Sequence, residues 1–184
     1  MTVEEIFKEL SERAIKGVMF HDNMTDYYDF LNLHGYKKMS EYHARSEMKG
    51  LRSLHTYYLN HYNKLVLDSQ FDSLDVIPKS WYDHTRLDVD INTKRQAVKE
   101  SFAKWVEWER GTKALYSQMY KELCDLGEVA SAMKIAEFVK DVDHELKWVE
   151  RKQIELQSAD YAMDFIIDEQ QYYFEFYKKK ENEK

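Results

Sequence analysis

The chain predicts an all-α bundle of long helices with a long crossing connection between the second and third, and three observations carry that expectation. One proline and five glycines in 184 residues leave little to interrupt a helix. Apolar residues recur at steps of three and four over stretches of about thirty residues, the period of an amphipathic helix. One segment, Leu67 to Ile91, abandons that period. With 43% hydrophobic residues the chain is large enough for one domain with a substantial core.

The first helix is expected from about Thr2 to Asn32, where Val3, Ile6, Leu10, Ala14, Gly17, His21, Met24, Tyr28 and Leu31 form the repeating row. Leu33-His34-Gly35 reads as a glycine-assisted turn. The second helix runs from about Tyr36 to Val66 on Tyr36, Met39, His43, Ser46/Glu47, Gly50, Leu54, Tyr58 and Leu65. Asp68, Ser69, Asp72, Ser73, Asp75 and Pro78 then punctuate a segment that Phe71, Leu74, Val76, Ile77 and Trp81 allow to pack. A connection this long is unusual in a compact domain unless it crosses something. At roughly 3.3 Å per residue it spans a helix of about thirty residues with ease. Within it, Trp81, His84 and Arg86 read as anchors.

The third helix begins at about Asn92 and carries Val98, Phe102, Trp105, Glu109, Thr112, Tyr116, Met119 and Leu123 up to a stop at Leu126-Gly127. The fourth starts near Glu128 with Ile135, Phe138, Val142, Glu145, Val149 and Leu156. A fifth, Ala159 to about Tyr177, presents Tyr161, Phe165, Ile166, Tyr172, Tyr173 and Phe176. Residues 1–177 thus form the domain, and 178–184 a charged tail expected to fray in solvent.

Net charge and cysteine count narrow the function classes. A charge of −7 argues against nucleic-acid binding, which needs a basic face, and leaves a basic protein partner open. Cys124 is the single cysteine, so no intramolecular disulfide forms. No leader and no membrane-length apolar stretch is seen, so a cytoplasmic, membrane-free protein is expected. No phosphate-binding glycine loop and no Gly-x-Ser-x-Gly occurs, and Cys124 has no evident histidine partner, which weighs against nucleophilic hydrolysis.

His21, Glu47, Glu109 and Glu145 each interrupt the apolar row of a different helix. Ionisable groups stay in a core only when paired, hydrogen-bonded or bound to metal. Antiparallel helices joined by a tight turn bring residues equidistant from that turn side by side. A turn between Leu33 and His34 sets His21 opposite Ser46, beside Glu47. Glu109 and Glu145 lie equally far before and after Gly127. If the long connection makes helices two and three parallel, the pairs converge, with His43 one turn from Glu47 on the same face. Carboxylates and imidazoles together suit a divalent transition metal, and Glu47, Glu109, Glu145, His21 and His43 are the candidate ligands. A buried pair neutralised by a shared proton, or by Arg13, Arg52 or a lysine, is the structural alternative. His144 and Asp141 are expected on an exposed face, and the aromatic run from His55 to Asn63 is expected to pack under the crossing segment.

Two helical hairpins joined by a long crossover, with a short helix after them, resemble the ferritin-like superfamily from about Ser11 to Leu156. His34-Gly35-Tyr36-Lys37-Lys38 through His43-Ala44-Arg45-Ser46-Glu47 looks like the start of its second helix, and Trp108-Glu109-Arg110 with Leu115-Tyr116 resembles its third. The resemblance implies iron or manganese on Glu-x-x-His pairs. Here Gly50 and Trp148 stand three residues after Glu47 and Glu145, and His21 with Asp22 stands where a first-helix glutamate is expected. Asp141-Val142-Asp143-His144 supplies an Asp-x-x-His, partly off the apolar row. The leading expectation is therefore a ferritin-like bundle acting through protein contacts or self-association and not as an enzyme. The alternative is a metal-binding carboxylate bundle with a redox or storage role.

Overall fold

The computed structural model describes residues 1–63 and 89–182, and over them the chain is all-α: α1 Val3–Phe30, α2 His34–Tyr62, α3 Ile91–Asp125, α4 Val129–Ser158 and α5 Met163–Asn182. Four long helices pack as a bundle and the shorter α5 lies against α2. The expected crossing segment, including Trp81, His84 and Arg86, lies outside the described residues, as does Leu65.

Local chemistry sets the helix ends. Thr2 caps α1 in a capping box: Glu5 N–H donates to Thr2 Oγ1 at 3.2 Å, and Thr2 N–H donates to Glu5 Oε2 at 2.7 Å. Asp90 caps α3 by accepting from Thr93 N–H at 2.8 Å. Gly127, at φ 76°, makes the α3–α4 turn as expected. The α1–α2 turn differs from expectation: Asn32, at φ 56°, takes the left-handed position. Asparagine tolerates that conformation through its short polar side chain. Gly35 instead lies in the first turn of α2, where a Cβ would stand 1.7 Å from the Gln170 carbonyl oxygen of α5. Its missing side chain is what lets α5 dock.

Side-chain contacts give the helix directions. Phe7 meets Tyr58, Ser11 meets His55 and Tyr28 meets Tyr36, so α1 and α2 are antiparallel. Arg13 reaches Thr112 while Tyr28 reaches Ser101, so α3 also opposes α1. Tyr116 meets Phe138 and Trp105 meets Trp148, which makes α4 antiparallel to α3. Helices α2 and α3 are consequently parallel: α2 finishes at one end of the bundle and α3 starts at the other.

Two apolar clusters fill the interior. One holds Phe20, Tyr28, Tyr36, Phe102, Trp105 and Val149 with Ile166 and Tyr173 of α5. The other holds Ile6, Phe7, Leu54, Tyr58, Met119 and Ile135. Tyr58 belongs to the second, and Tyr57 and Tyr62 pack on it, while Thr56, Leu59, Asn60, His61 and Asn63 are exposed. The crossing segment that this run was expected to pack under lies outside the described residues. In α5 the buried row is Ile166, Glu169, Tyr173 and Tyr177, while Phe165, Tyr172 and Phe176 are exposed. The helix also continues past the expected start of the tail at residue 178, and Lys180 Nζ sits 4.8 Å over the Tyr42 ring. No helix among the described residues is long and apolar enough to cross a membrane.

Candidate functional site

The layer between the two apolar clusters is ionisable. His21 from α1, His43 and Glu47 from α2, Glu109 from α3 and Glu145 from α4 converge there, so the structure brings all five candidate ligands together. They form two overlapping triads, His21–His43–Glu145 and His21–Glu47–Glu109, and within each the potential ligand atoms lie within 4.8 Å of one another. Metal–nitrogen and metal–oxygen bonds of about 2.0–2.2 Å place opposite ligands roughly 4 Å apart, so small side-chain adjustments close either triad on one ion.

Each position follows from packing. His21 is wholly buried, with its ring 5.3 Å from that of His43 and 5.0 Å from that of Trp105. The turn at Asn32 therefore sets His21 against His43, slightly nearer the turn than the expected partner at 46. Glu47 is half-buried and enters the core over Gly17, where a Cβ would meet its Cδ at 3.0 Å. Glu109 is buried and accepts from Trp105 Nε1 at 3.2 Å. Glu145 is half-buried, with Oε1 2.7 Å from His43 Nδ1. At the Glu-x-x-His positions Phe138 packs 3.6 Å from where a Gly50 Cβ would be, and Trp148 lies against Trp105 and His43. Asp141 and His144 are exposed, as expected.

Electrostatics divides the cluster. Burial, with His43 beside it, drives the His21 imidazole down to about 3, so it is neutral. Burial and the neighbouring Glu145 push the Glu47 carboxyl up to about 8. Burial, then Glu145 and Glu47, raises Glu109 well above the carboxylate range against the opposing pull of Trp105 and Arg13. Burial also works to raise Glu145, but His43, His21 and Trp105 outweigh it and hold that carboxylate at about 2. The 4.0 Å approach of His21 Nε2 to Glu109 Oε1 thus joins two neutral groups and is no ion pair.

Hydrogen bonding is incomplete at the same place. Among the described residues His21 Nδ1 and Nε2 and Glu109 Oε2 are buried side-chain atoms that lack a protein hydrogen-bond partner. Leaving such atoms unpaired costs about 1–3 kcal/mol each. A cleft of about 310 Å³ between α2 and α4, lined by Leu54, Tyr116 and Phe138 and bordered by Lys49 and Lys134, includes Glu47 and Glu145 in its walls. The cluster is therefore open to a solute.

Two neighbours complete the site, and only one had a sequence signal. Arg13, one of the neutralising residues considered from the sequence, donates from Nη2 to the Trp108 carbonyl at 2.7 Å and from Nε to Thr112 Oγ1 at 2.9 Å. Its guanidinium lies 3.4 Å over the Trp108 ring, and Gly111 leaves room for it. Arg52, considered alongside it, is exposed. Trp105, whose indole joins Glu109 to both histidines, looks in sequence like any core aromatic.

Fold and site together define an all-helical five-helix bundle with a His/Glu cluster in its core. No family model matches the chain, and comparison with curated proteins finds no match.

Proposed function

We propose that this protein is a ferritin-like carboxylate bundle that binds a divalent transition metal, iron or manganese, on residues drawn from His21, His43, Glu47, Glu109 and Glu145. The observation that carries this reading is the set of unpartnered ligand atoms on His21 and Glu109, buried at a point where four helices converge beside His43, Glu47 and Glu145. Two imidazoles and three carboxylates are borderline and hard ligands, a match for those ions. The cleft beside Glu47 and Glu145 offers a path for the ion. Once bound, the ion would supply redox chemistry or be held as cargo, and the chain's own residues would hold it in place and exclude bulk water.

The test is elemental analysis of protein purified without chelator, with Glu109→Ala, Glu145→Ala beside it. Stoichiometric iron, manganese or zinc that disappears in the double variant is the expected outcome. Metal-free protein whose double variant differs only in stability overturns the reading.

Action through protein contacts or self-association is the second reading, favoured by the outer edge of α5. Phe165, Tyr172 and Phe176 are 36%, 59% and 37% exposed there. A concentration-dependent assembly in sedimentation that Tyr172→Lys, Phe176→Lys abolishes is expected, and a monomer at every concentration that also captures no partner through this edge would sink it.

A further inference from the structure

Arg13 is placed as a fixed charge at the edge of the cluster. Two hydrogen bonds, a stacked indole and the space above Gly111 hold its guanidinium, and Glu109 and Glu47 are the carboxylates that act on it. Along α1 the order is Arg13, Gly17, His21, at one-turn steps on one face. Opposite them stand Thr112, Glu109 and Trp105 on α3. Both imidazoles are therefore at one side of the carboxylates and the guanidinium is at the other.

We infer that this centre takes one divalent ion and not a pair, with Arg13 supplying the positive charge that a second ion would otherwise bring. The inference rests on the metal reading above and specifies it. Glu47, Glu109 and Glu145 carry three negative charges when they ligate, and one dication with Arg13 neutralises them. A second dication would leave the core strongly positive, which a low-dielectric interior opposes. The donors agree with that count. His21 belongs to both triads, so the triads describe one pocket and not two separate ones. The i+3 positions that would bring a histidine to a second ion are occupied by Gly50, covered by Phe138, and by Trp148. The triad of two histidines and Glu145 is the arrangement that holds a single ion with open positions, and Glu145 borders the cleft.

The experiment is reconstitution of the full chain with excess manganese(II), gel filtration, elemental analysis and electron paramagnetic resonance. About one manganese per chain with the hyperfine pattern of an isolated ion is expected. About two per chain with the denser pattern of an exchange-coupled pair overturns the inference while leaving the metal reading standing. No retained manganese overturns both, and the absence of any protein-bound signal distinguishes that case. Arg13→Met should raise uptake toward two per chain, and Arg13→Lys, which keeps the charge, should hold it at about one. Variants that both stay at one, with helicity and melting like the parent, show that Arg13 does not set the number and remove it from the argument.

Discussion

Glu169 and Glu109 are both buried glutamates on helices of the same bundle, and their surroundings differ completely. Glu169, on α5, accepts from Tyr36 Oη at 2.6 Å and from Lys152 Nζ at 3.2 Å, and Lys152 also pairs with Glu155 at 2.6 Å. Burial works against the Lys152 ammonium, but those two carboxylates outweigh it and raise its affinity for the proton. Glu109 has one indole donor, two carboxylates nearby and an oxygen with no protein partner. One site is closed by the protein, as structural charges are. The other is left open by it, as ligand sites are. A buried charge by itself therefore says little, and the state of its partners says more.

The comparison breaks most visibly through Glu169→Ala set against Glu109→Ala, Glu145→Ala. Removing Glu169 strands the Tyr36 hydroxyl and leaves Lys152 with Glu155 alone, a loss of about 2 kcal/mol, or a fall of about 6 °C in Tm for a chain of this size. Metal content should stay at the parental value. The double variant should do the reverse, losing the metal while the metal-free protein melts within a few degrees of its parent. Melting and elemental analysis on the same preparations decide it, and equal effects on both readouts would erase the distinction between the two sites.

Gly17→Ala sharpens the contrast more gently. A methyl group there meets the Glu47 carboxyl at about 3.0 Å, and the flexible side chain can give way. Helix propensity favours alanine by up to about 1 kcal/mol. Metal affinity is expected to fall about ten-fold with metal-free stability unchanged or higher, measured by competition with a chromophoric chelator. Affinity equal to the parent's would remove Glu47 from the ligand set.

The smallest effect lies in the pH profile of metal-free melting. His21 sits at about 3 in the fold against 6.5 ordinarily, so its contribution is complete above pH 6.5 and is lost as pH falls toward 3. Glu145, at about 2 against 4.5, adds to that acid-side loss. Glu47, at about 8 against 4.5, behaves oppositely: its contribution is complete below pH 4.5 and is lost as pH rises toward 8, and raised Glu109 acts in the same direction. A maximum between about pH 4.5 and 6.5 follows, with a decline toward pH 8 that Glu47→Gln makes shallower. A parental decline in that variant would contradict the assigned protonation of Glu47.

Much of this was legible in sequence because it depends on period. Rows of apolar residues located the helices, and equal spacing about Gly127 and near Leu33 located the cluster. The paired turn geometry was less legible, since Asn32 and not Gly35 adopts the left-handed conformation, and that sets His21 against His43. Glu169 escaped notice although it stands three residues after Ile166 and four before Tyr173, on the same helical face. The eye follows the aromatic residues of α5, including exposed Tyr172 and Phe176, and aromatic content is a poor guide to which face is buried. Arg13 was visible only as a nearby cation, because its role depends on the Trp108 ring and carbonyl, which sequence spacing along α1 does not encode.

The cluster is divided between two hairpins, with His21, His43 and Glu47 on α1–α2 and Glu109 and Glu145 on α3–α4. Each hairpin can form from contacts close in the chain, the kind that assemble early. Neither holds a complete ligand set, so the pocket comes into being only when the two halves meet. An ion bound there would act as a latch on that last encounter, slowing the separation of the halves far more than it hastens their meeting.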